Sequence, residues 1–412
     1  MTKTEFFEIL KNGEHSGVEF KRDDVENHEL AKELVAFLNL EGGSVLLGID
    51  DDGSVVGLSR ANLEEWVAEL CRVKIDPPIV PHLEWVRAIE PGKDVLVVRV
   101  PAGPNKPYAR VHHNRRTYFI RVGRTSREAS RDELERMFQA SGRLQYGLKP
   151  VPGAALDDLD RRRLREYFVR ILGGSAPDDQ AIEEWERLLR NIDLMTVSAG
   201  QTVPTIDGML LFGKAPKRFL PQSGIRAVCF SGTAPDYAMR ADEQLGGPLV
   251  PLGSASEAVP LESGLVEQAL DFVKRNTETI ARLEGGQRIV RPAYPPEVLR
   301  EAVVNALVHR DYSIAGTDIL LAIYADRLEI QSPGSLPNTV TVDGMKAGLR
   351  YARNQTLVNV MRDYRYVEAL GMGVRCKIIP GMRAHNGTEP ELLAEEHRFT
   401  VRLWKEPKSP GV

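Results

Sequence analysis

A double glycine, Gly42-Gly43, sets the architecture of the first hundred residues. Ahead of it Leu30, Ala31, Leu34, Val35 and Leu38 recur at helical spacing, and a glycine able to take positive φ ends that helix. Behind it SVLLGI reads as a buried strand, and DDDG before SVVGL is a hairpin turn. A short helix over Thr4–Leu10 and a strand over Gly17–Lys21 (VEFK) precede them. Residues 1–135 therefore read as one α/β unit.

The chain has 412 residues, enough for two or three domains at roughly 150 residues each. The middle stretch, 136–285, is mostly helical at its start and is broken by KPVPG (149–153), a plausible linker. It continues with two helices and a hairpin that have the make-up of a winged-helix unit. There PTIDGMLLFGK and IRAVCFSG read as strands, and residues 286–412 form the last domain. The expected class is α+β multidomain. With 42% hydrophobic and 27% charged residues the chain is of the soluble globular kind. Cys71, Cys229 and Cys376 are too far apart for a disulfide framework or a CxxC metal site. No apolar run approaches the ~20 residues of a membrane span, and the N-terminus lacks a signal peptide's pattern. A cytoplasmic location is the expectation.

A net charge of -4 gives no hint of nucleic acid, but the average hides a patch. Val95–Arg127 contains no Asp or Glu, while Arg99, Lys106, Arg110, Arg115, Arg116, Arg121, Arg124 and Arg127 are cationic. His112, His113, Tyr108, Tyr118 and Phe119 lie among them. Clustered cations neutralise phosphates, and aromatic faces stack on unpaired bases. Alternation along two edge strands accounts for some of the arginines but not for the missing acids.

Glu14 and Glu19 flank the start of the first strand, and Asp50, Asp51 and Asp52 end the second. If these strands are neighbours, the carboxylates can meet and bind Mg²⁺ or Mn²⁺, which activates water for phosphodiester cleavage. Lys21, one pleat beyond Glu19, could contact a phosphate. A solvated loop and ordinary turn chemistry are the competing explanation. GEHSGVEFKRD, LAKELVAFLNLEGGSVLLGIDDDGSVVGL and YFIRVGRTSREASRDEL together resemble the Schlafen-type, AlbA-like domain over about residues 5–135. Some Schlafen proteins are metal-dependent RNases using two glutamates and an aspartate. The resemblance implies Glu14, Glu19 and Asp50, or Asp51, for those roles. Many bacterial members with this domain are described only as DNA-binding regulators.

Near the C-terminus Pro295-Pro296 precede an amphipathic helix carrying Glu301, Asn305 and His309 at i, i+4 and i+8, on one face. A Glu there can polarise water, and an Asn carbonyl can ligate Mg²⁺ beside a triphosphate. A polar stripe facing solvent is the plainer alternative. SPGSLP (332–337) follows a strand and GMGV (371–374) opens a helix, where backbone N–H groups can approach phosphates. This order of acidic helix, glycine turn, lid-like loop and second glycine turn resembles the GHKL ATPases. EAVVNALVHRDY, DRLEIQSPGSLP, RNQTLVNVMRDY and EALGMGV resemble the bacterial RecG-related Schlafen-type ATP-binding proteins more closely. The resemblance implies a GHKL α/β sandwich, with Glu301 as base and Asn305 as Mg²⁺ ligand. It also implies ATP contacts from His309, Gly334, Asn354, Gly371 and Gly373. Ser332 stands where GHKL enzymes usually carry the adenine-binding Asp.

Two whole-protein expectations result. The first is a metal-dependent endoribonuclease gated by ATP, acting as a homo-oligomer and suited to bacterial defence. The second is a nucleotide-sensing DNA-binding transcriptional regulator that cuts nothing. A helicase is disfavoured because the chain has no GxxxxGK[ST] phosphate loop.

Overall fold

A computed structural model describes residues 2–142, 144–253, 260–284, 287–336, 340–349, 351–367, 373–395 and 397–406. The chain is a mixed α/β multidomain protein and divides into two compact units, Met1–Leu144 and Gln145–Val412. No helix among the described residues is long and apolar enough to cross a membrane.

The first unit is built on a four-stranded sheet in the order Val18–Lys21, Gly42–Leu47, Lys93–Pro101, His82–Glu90. The first two strands are parallel, with Glu19 beside Val45 and Lys21 beside Leu47, because the helix Asn27–Asn39 carries the chain back between them. That helix buries Leu34, Phe37 and Leu38 on one face of the sheet, while Phe6 from the helix Lys3–Asn12 covers the other with Phe20, Leu46 and Val97. The Asn27–Asn39 helix stops before the double glycine. Asn39 is buried and its side-chain amide bonds Tyr108 and Phe119, so the helix ends there. Gly42, at φ +89°, then turns the chain into the strand, and a Cβ on Gly43 would meet the Phe37 ring at 2.3 Å. Two hairpins follow, Ala109–His112 with Arg115–Thr117 and Phe119–Val122 with Thr125–Glu128, and then the helix Arg131–Ala140.

The second unit holds a six-stranded sheet in the order Met239–Leu245, Ile225–Phe230, Ile319–Ile323, Arg327–Pro333, Arg398–Trp404, Glu391–Ala394. Only Ile225–Phe230 and Ile319–Ile323 run parallel. Through that pair the middle stretch of the chain shares a sheet with its C-terminal part, and one apolar core joins residues from Val151 to Leu403. The helices Leu265–Asn276 and Pro296–Val308 contribute Phe272, Val273, Val303 and Leu307 to it. Residues 161–204 comprise the helix Arg161–Glu166 with a π-helical turn Tyr167–Ile171, the helix Ile182–Asn191, and a hairpin of Met195–Ser198 with Gln201–Pro204.

The strand expected in PTIDGMLLFGK is instead the helix Ile206–Phe212. Every residue of it is buried, so its sequence carries no periodicity that separates helix from strand. The Thr205 hydroxyl decides by accepting the Gly208 N–H as an N-cap. Asp207 in this helix is 1% exposed, and its Oδ1 has no hydrogen-bond partner among the described residues. Burial, then the charge of Asp193, raise its carboxyl to about 7. The unfolded carboxyl loses its proton near pH 4, so the folded state holds the extra proton between these values. Stability should fall as pH rises from about 4 to about 7, on the order of 4 kcal/mol in all, and level off above. Urea denaturation across that range should show the falling limb in wild type and a flattened one in Asp207→Asn.

Candidate nucleotide pocket and nucleic-acid surface

Proline at the first position starts the helix Pro296–Val308 without loss of a hydrogen bond, and Glu301 and Asn305 stand one turn apart on it. The Asn305 amide nitrogen donates to Glu301 Oε1 at 3.2 Å, and Lys377 Nζ lies 3.6 Å from Glu301 Oε2. Gly373 passes so close that a Cβ there would sit 1.7 Å from Glu301 Oε1, so any side chain would displace the carboxylate. Gly334 follows the strand Arg327–Pro333 at φ +114°, where a Cβ would meet Arg353 Nη1 at 2.5 Å. Glu301, Asn305, His309, Ser332, Gly334 and Gly373 line one cavity of about 370 Å³, with an apolar wall that includes Ile330, Val358, Ile378 and Phe399. His309 caps the helix. Desolvation by the surrounding protein, then the charge of Arg353, lower its pKa to about 4, although its surface stays open to the cavity.

Two expected nucleotide contacts are otherwise employed. Asn354 is buried and outside the cavity lining, and its side-chain nitrogen donates to the carbonyls of Val308 and Arg310 at 3.0 and 2.9 Å. It holds the end of the acidic helix. Ser332 lines the cavity, but its hydroxyl donates to Ala306 O at 2.8 Å. Gly371 lies outside the described residues. Lys377 and Arg353 were not anticipated. Arg353 lines the cavity while donating to His309 O at 3.2 Å and to Ser335 O at 2.5 Å. Lys377 comes three residues after the second glycine motif, GMGV (371–374), which is the sequence signal that points to it.

In the first unit the expected carboxylate cluster does not assemble. Glu19 is buried, with Oε2 2.6 Å from the Arg121 guanidinium and Oε1 2.6 Å from Lys21 Nζ. Burial alone would lower the Lys21 pKa, but the hydrogen bond and charge of Glu19 raise it. Glu14 Oε1 accepts the Phe20 N–H at 2.9 Å. Asp50 accepts from the Asp51 N–H and lies 3.6 Å from Arg22, and Asp51 lies 3.9 Å from Lys21. The Lys21 ammonium stands between Glu19 and Asp51, and the Phe20 N–H occupies Glu14, so cations and donors of the chain itself take the place of a shared metal ion. Among the described residues no three His, Cys, Asp or Glu side chains come together in a way that could hold a metal ion. The carboxylates, each held by hydrogen bonds or cations of the chain itself, do not fit a Mg²⁺ or Mn²⁺ site.

The basic stretch divides into core and surface. The Arg121 side chain is fully buried and pairs with Glu19 and with Glu33, the latter at 2.9 Å, which removes it from any nucleic-acid surface. Arg127 pairs with Glu133, and its hydrogen bond leads in lowering that carboxyl to about 2. Arg116 pairs with Asp76, and Arg124 lies 3.8 Å from Glu14. Arg110 lies over the Phe119 ring at 4.6 Å. Arg115 is exposed beside the tight turn His113-Asn114, both residues at positive φ as a two-residue hairpin requires.

Residues 14–130 match the Schlafen, AlbA_2 family model, and residues 316–403 match the model described as Putative ATP-dependent DNA helicase recG C-terminal. The chain is thus similar to a Schlafen domain in its first unit and to a RecG C-terminal region in its second. Among solved structures, the DIP2311 protein of Corynebacterium diphtheriae is 22% identical over 98% of this chain and 80% of its own, with a TM-score of 0.44. The N-terminal domain of a Putative ATP-dependent DNA helicase RecG-related protein from Nitrosomonas europaea is 24% identical, covering 32% of this chain and 93% of its own, with a TM-score of 0.25. No curated protein matches.

The two kinds of arginine should separate in stability. Arg121→Met removes the buried cation that Glu19 and Glu33 share, leaving them only the half-buried Lys21 and Lys32, and should cost about 3 kcal/mol in urea denaturation. Arg115→Ala should stay within about 0.5 kcal/mol of wild type.

Proposed function

We propose that the protein is an ATP-binding, nucleic-acid-acting protein whose second unit takes the nucleotide and whose first unit takes the nucleic acid. The gathering of Glu301, Asn305, His309, Gly334 and Gly373 around one cavity carries this reading. In it, Glu301 is the general base that takes a proton from the water attacking the terminal phosphate. Lys377 holds the Glu301 carboxylate in place, and Gly373 leaves it room. The Asn305 nitrogen is turned to Glu301, which leaves its carbonyl oxygen for a hard cation, so the donor set fits Mg²⁺. When bound, Mg²⁺ would neutralise phosphate charge. Backbone N–H groups opening the helical segment from Gly373 would face the phosphates, and the apolar wall would receive the base.

The sheet-and-helix layers around the cavity are read as a GHKL sandwich and residues 161–204 as winged-helix-like. The matches to a Schlafen domain and to a RecG C-terminal region support a nucleic-acid role. Of the two expectations, the backbone hydrogen bond that occupies Glu14 and the ion pairs of Glu19 and Asp50 favour the regulator that binds nucleic acid and senses nucleotide over the nuclease. Closure of a lid over ATP would alter contacts between copies, so a homo-oligomer belongs to the proposal.

ATP turnover and binding test it. Glu301→Gln should lower turnover about 100-fold or more while binding stays near wild type. Asn305→Ala should remove the Mg²⁺ dependence of binding. Labelled tRNA and single-stranded DNA incubated with Mg²⁺ or Mn²⁺, with and without ATP, should be bound and remain intact. Cleavage that disappears in Glu19→Ala would return the nuclease reading.

A further inference from the structure

The first unit has a cavity of its own, of about 270 Å³, which Glu14, Glu19, Asp50 and Asp51 do not line. Pro77 and Pro107 form its apolar lining with the rings of Tyr118 and Phe138, whose centroids are 6.2 Å apart at 67°. Arg116 and Asp76, paired with each other, supply its charged members. Four elements converge on it. Pro77 follows the strand Ile75–Asp76, Pro107 precedes the strand Ala109–His112, Tyr118 joins the two hairpins, and Phe138 comes from the helix Arg131–Ala140.

We propose that this cavity is a slot for one unpaired base of a single-stranded nucleic acid, a site that rests on reading the first unit as the nucleic-acid surface. The argument is one of size, chemistry and charge. Small-molecule pockets run from roughly 300 Å³ upward, so this one is too small for a nucleoside triphosphate and suits a single planar ring. The Tyr118 and Phe138 rings meet edge to face, so a base would stack on the open face of one of them rather than between the two, with Arg116, paired to Asp76, as a planar cation at its rim. Pro107, Ala109, Arg116 and Tyr118 of the lining come from the stretch Val95–Arg127, which has no carboxylate of its own and presents exposed Arg115, while Asp76, from outside that stretch, pairs with Arg116. Phosphates are therefore drawn to the residues that frame the slot. Cations alone attract duplex and single strand alike, whereas an aromatic slot rewards only a base that is free to leave its stack. The slot thus assigns the strandedness of the ligand, which the basic residues leave open.

Fluorescence anisotropy with a labelled single-stranded 12-mer, as RNA and as DNA, and with the matching duplex, tests this on the full chain. Tyr118→Ala should weaken single-strand binding about tenfold, leave the duplex unchanged and keep the salt slope. Tyr118→Phe, which retains the ring, should bind as wild type. Arg115→Ala should weaken single strand and duplex together and reduce the salt slope by about one. The RNA and DNA arms show which sugar the strand carries. If Arg115→Ala has its effect while Tyr118→Ala binds single strands as wild type, or loses duplex equally, the slot is overturned and the nucleic-acid surface stands. If wild type binds no strand at all, the reading of the first unit falls with it. Thermal unfolding of Tyr118→Ala within a few degrees of wild type excludes loss of fold as the cause of weak binding.

Discussion

The C-terminal end of the helix Pro296–Val308 organises the second unit. A helix leaves its last carbonyls without intrahelical donors, and burying them unpaired would cost on the order of 1–3 kcal/mol each. Here each one finds a side chain from a different place. Ser332 donates to Ala306, Tyr312 to Leu307, Asn354 to Val308 and Arg353 to His309. The donors come from a strand, a following turn, and the segment that opens the helix Gln355–Asp363. Satisfying one helix terminus therefore fixes two walls of the candidate nucleotide cavity, at Ser332 and at Arg353, relative to Glu301 and Asn305. It also explains why Ser332 and Asn354, which look like ligand contacts in the sequence, are spent on the backbone.

The first unit has a comparable centre in Arg121. Its guanidinium is buried against Phe37 and pairs with Glu19 and Glu33, and it also donates to the carbonyls of His15 and Val18. It thereby joins the first strand, the Asn27–Asn39 helix and the third of the short hairpin strands. A buried ion pair earns little net stability over an apolar replacement, but removing one partner is costly, so such a group chiefly specifies one arrangement. In this arrangement Glu19 is a structural counter-ion. The same reasoning separates the arginines of the basic stretch, where burial and pairing remove Arg121 and Arg127 and leave Arg115 at the surface.

The two units handle charge differently. In the first, exposed cations lie next to a small aromatic slot, an arrangement suited to a polyanion with free bases. In the second, cations and one carboxylate sit inside a larger cavity with an apolar wall, an arrangement suited to a compact ligand with a charged tail and a flat apolar head. A nucleic-acid strand and a nucleotide have these two shapes.

Much of this was legible along the chain because it depends on local spacing. The strands about VEFK, SVLLGI, ILLAIYA, RLEIQS and FTVRLW, and the acidic helix, follow from periodicity and from proline and glycine positions. Glu301 with Asn305 follows from the i, i+4 rule, and Gly334 and Gly373 from the need for backbone without a side chain. What the sequence could not decide was anything that depends on which distant groups become neighbours. The pairing of Glu19 with Arg121, the burial of Arg121, and the diversion of Ser332 and Asn354 to orphan carbonyls arise only when separate elements pack. Pro77, Pro107, Tyr118 and Phe138 carry no common spacing, so their slot exists only in the folded unit. Local order is written in residue spacing, whereas the partner of a charge or a hydroxyl is set by the tertiary fold.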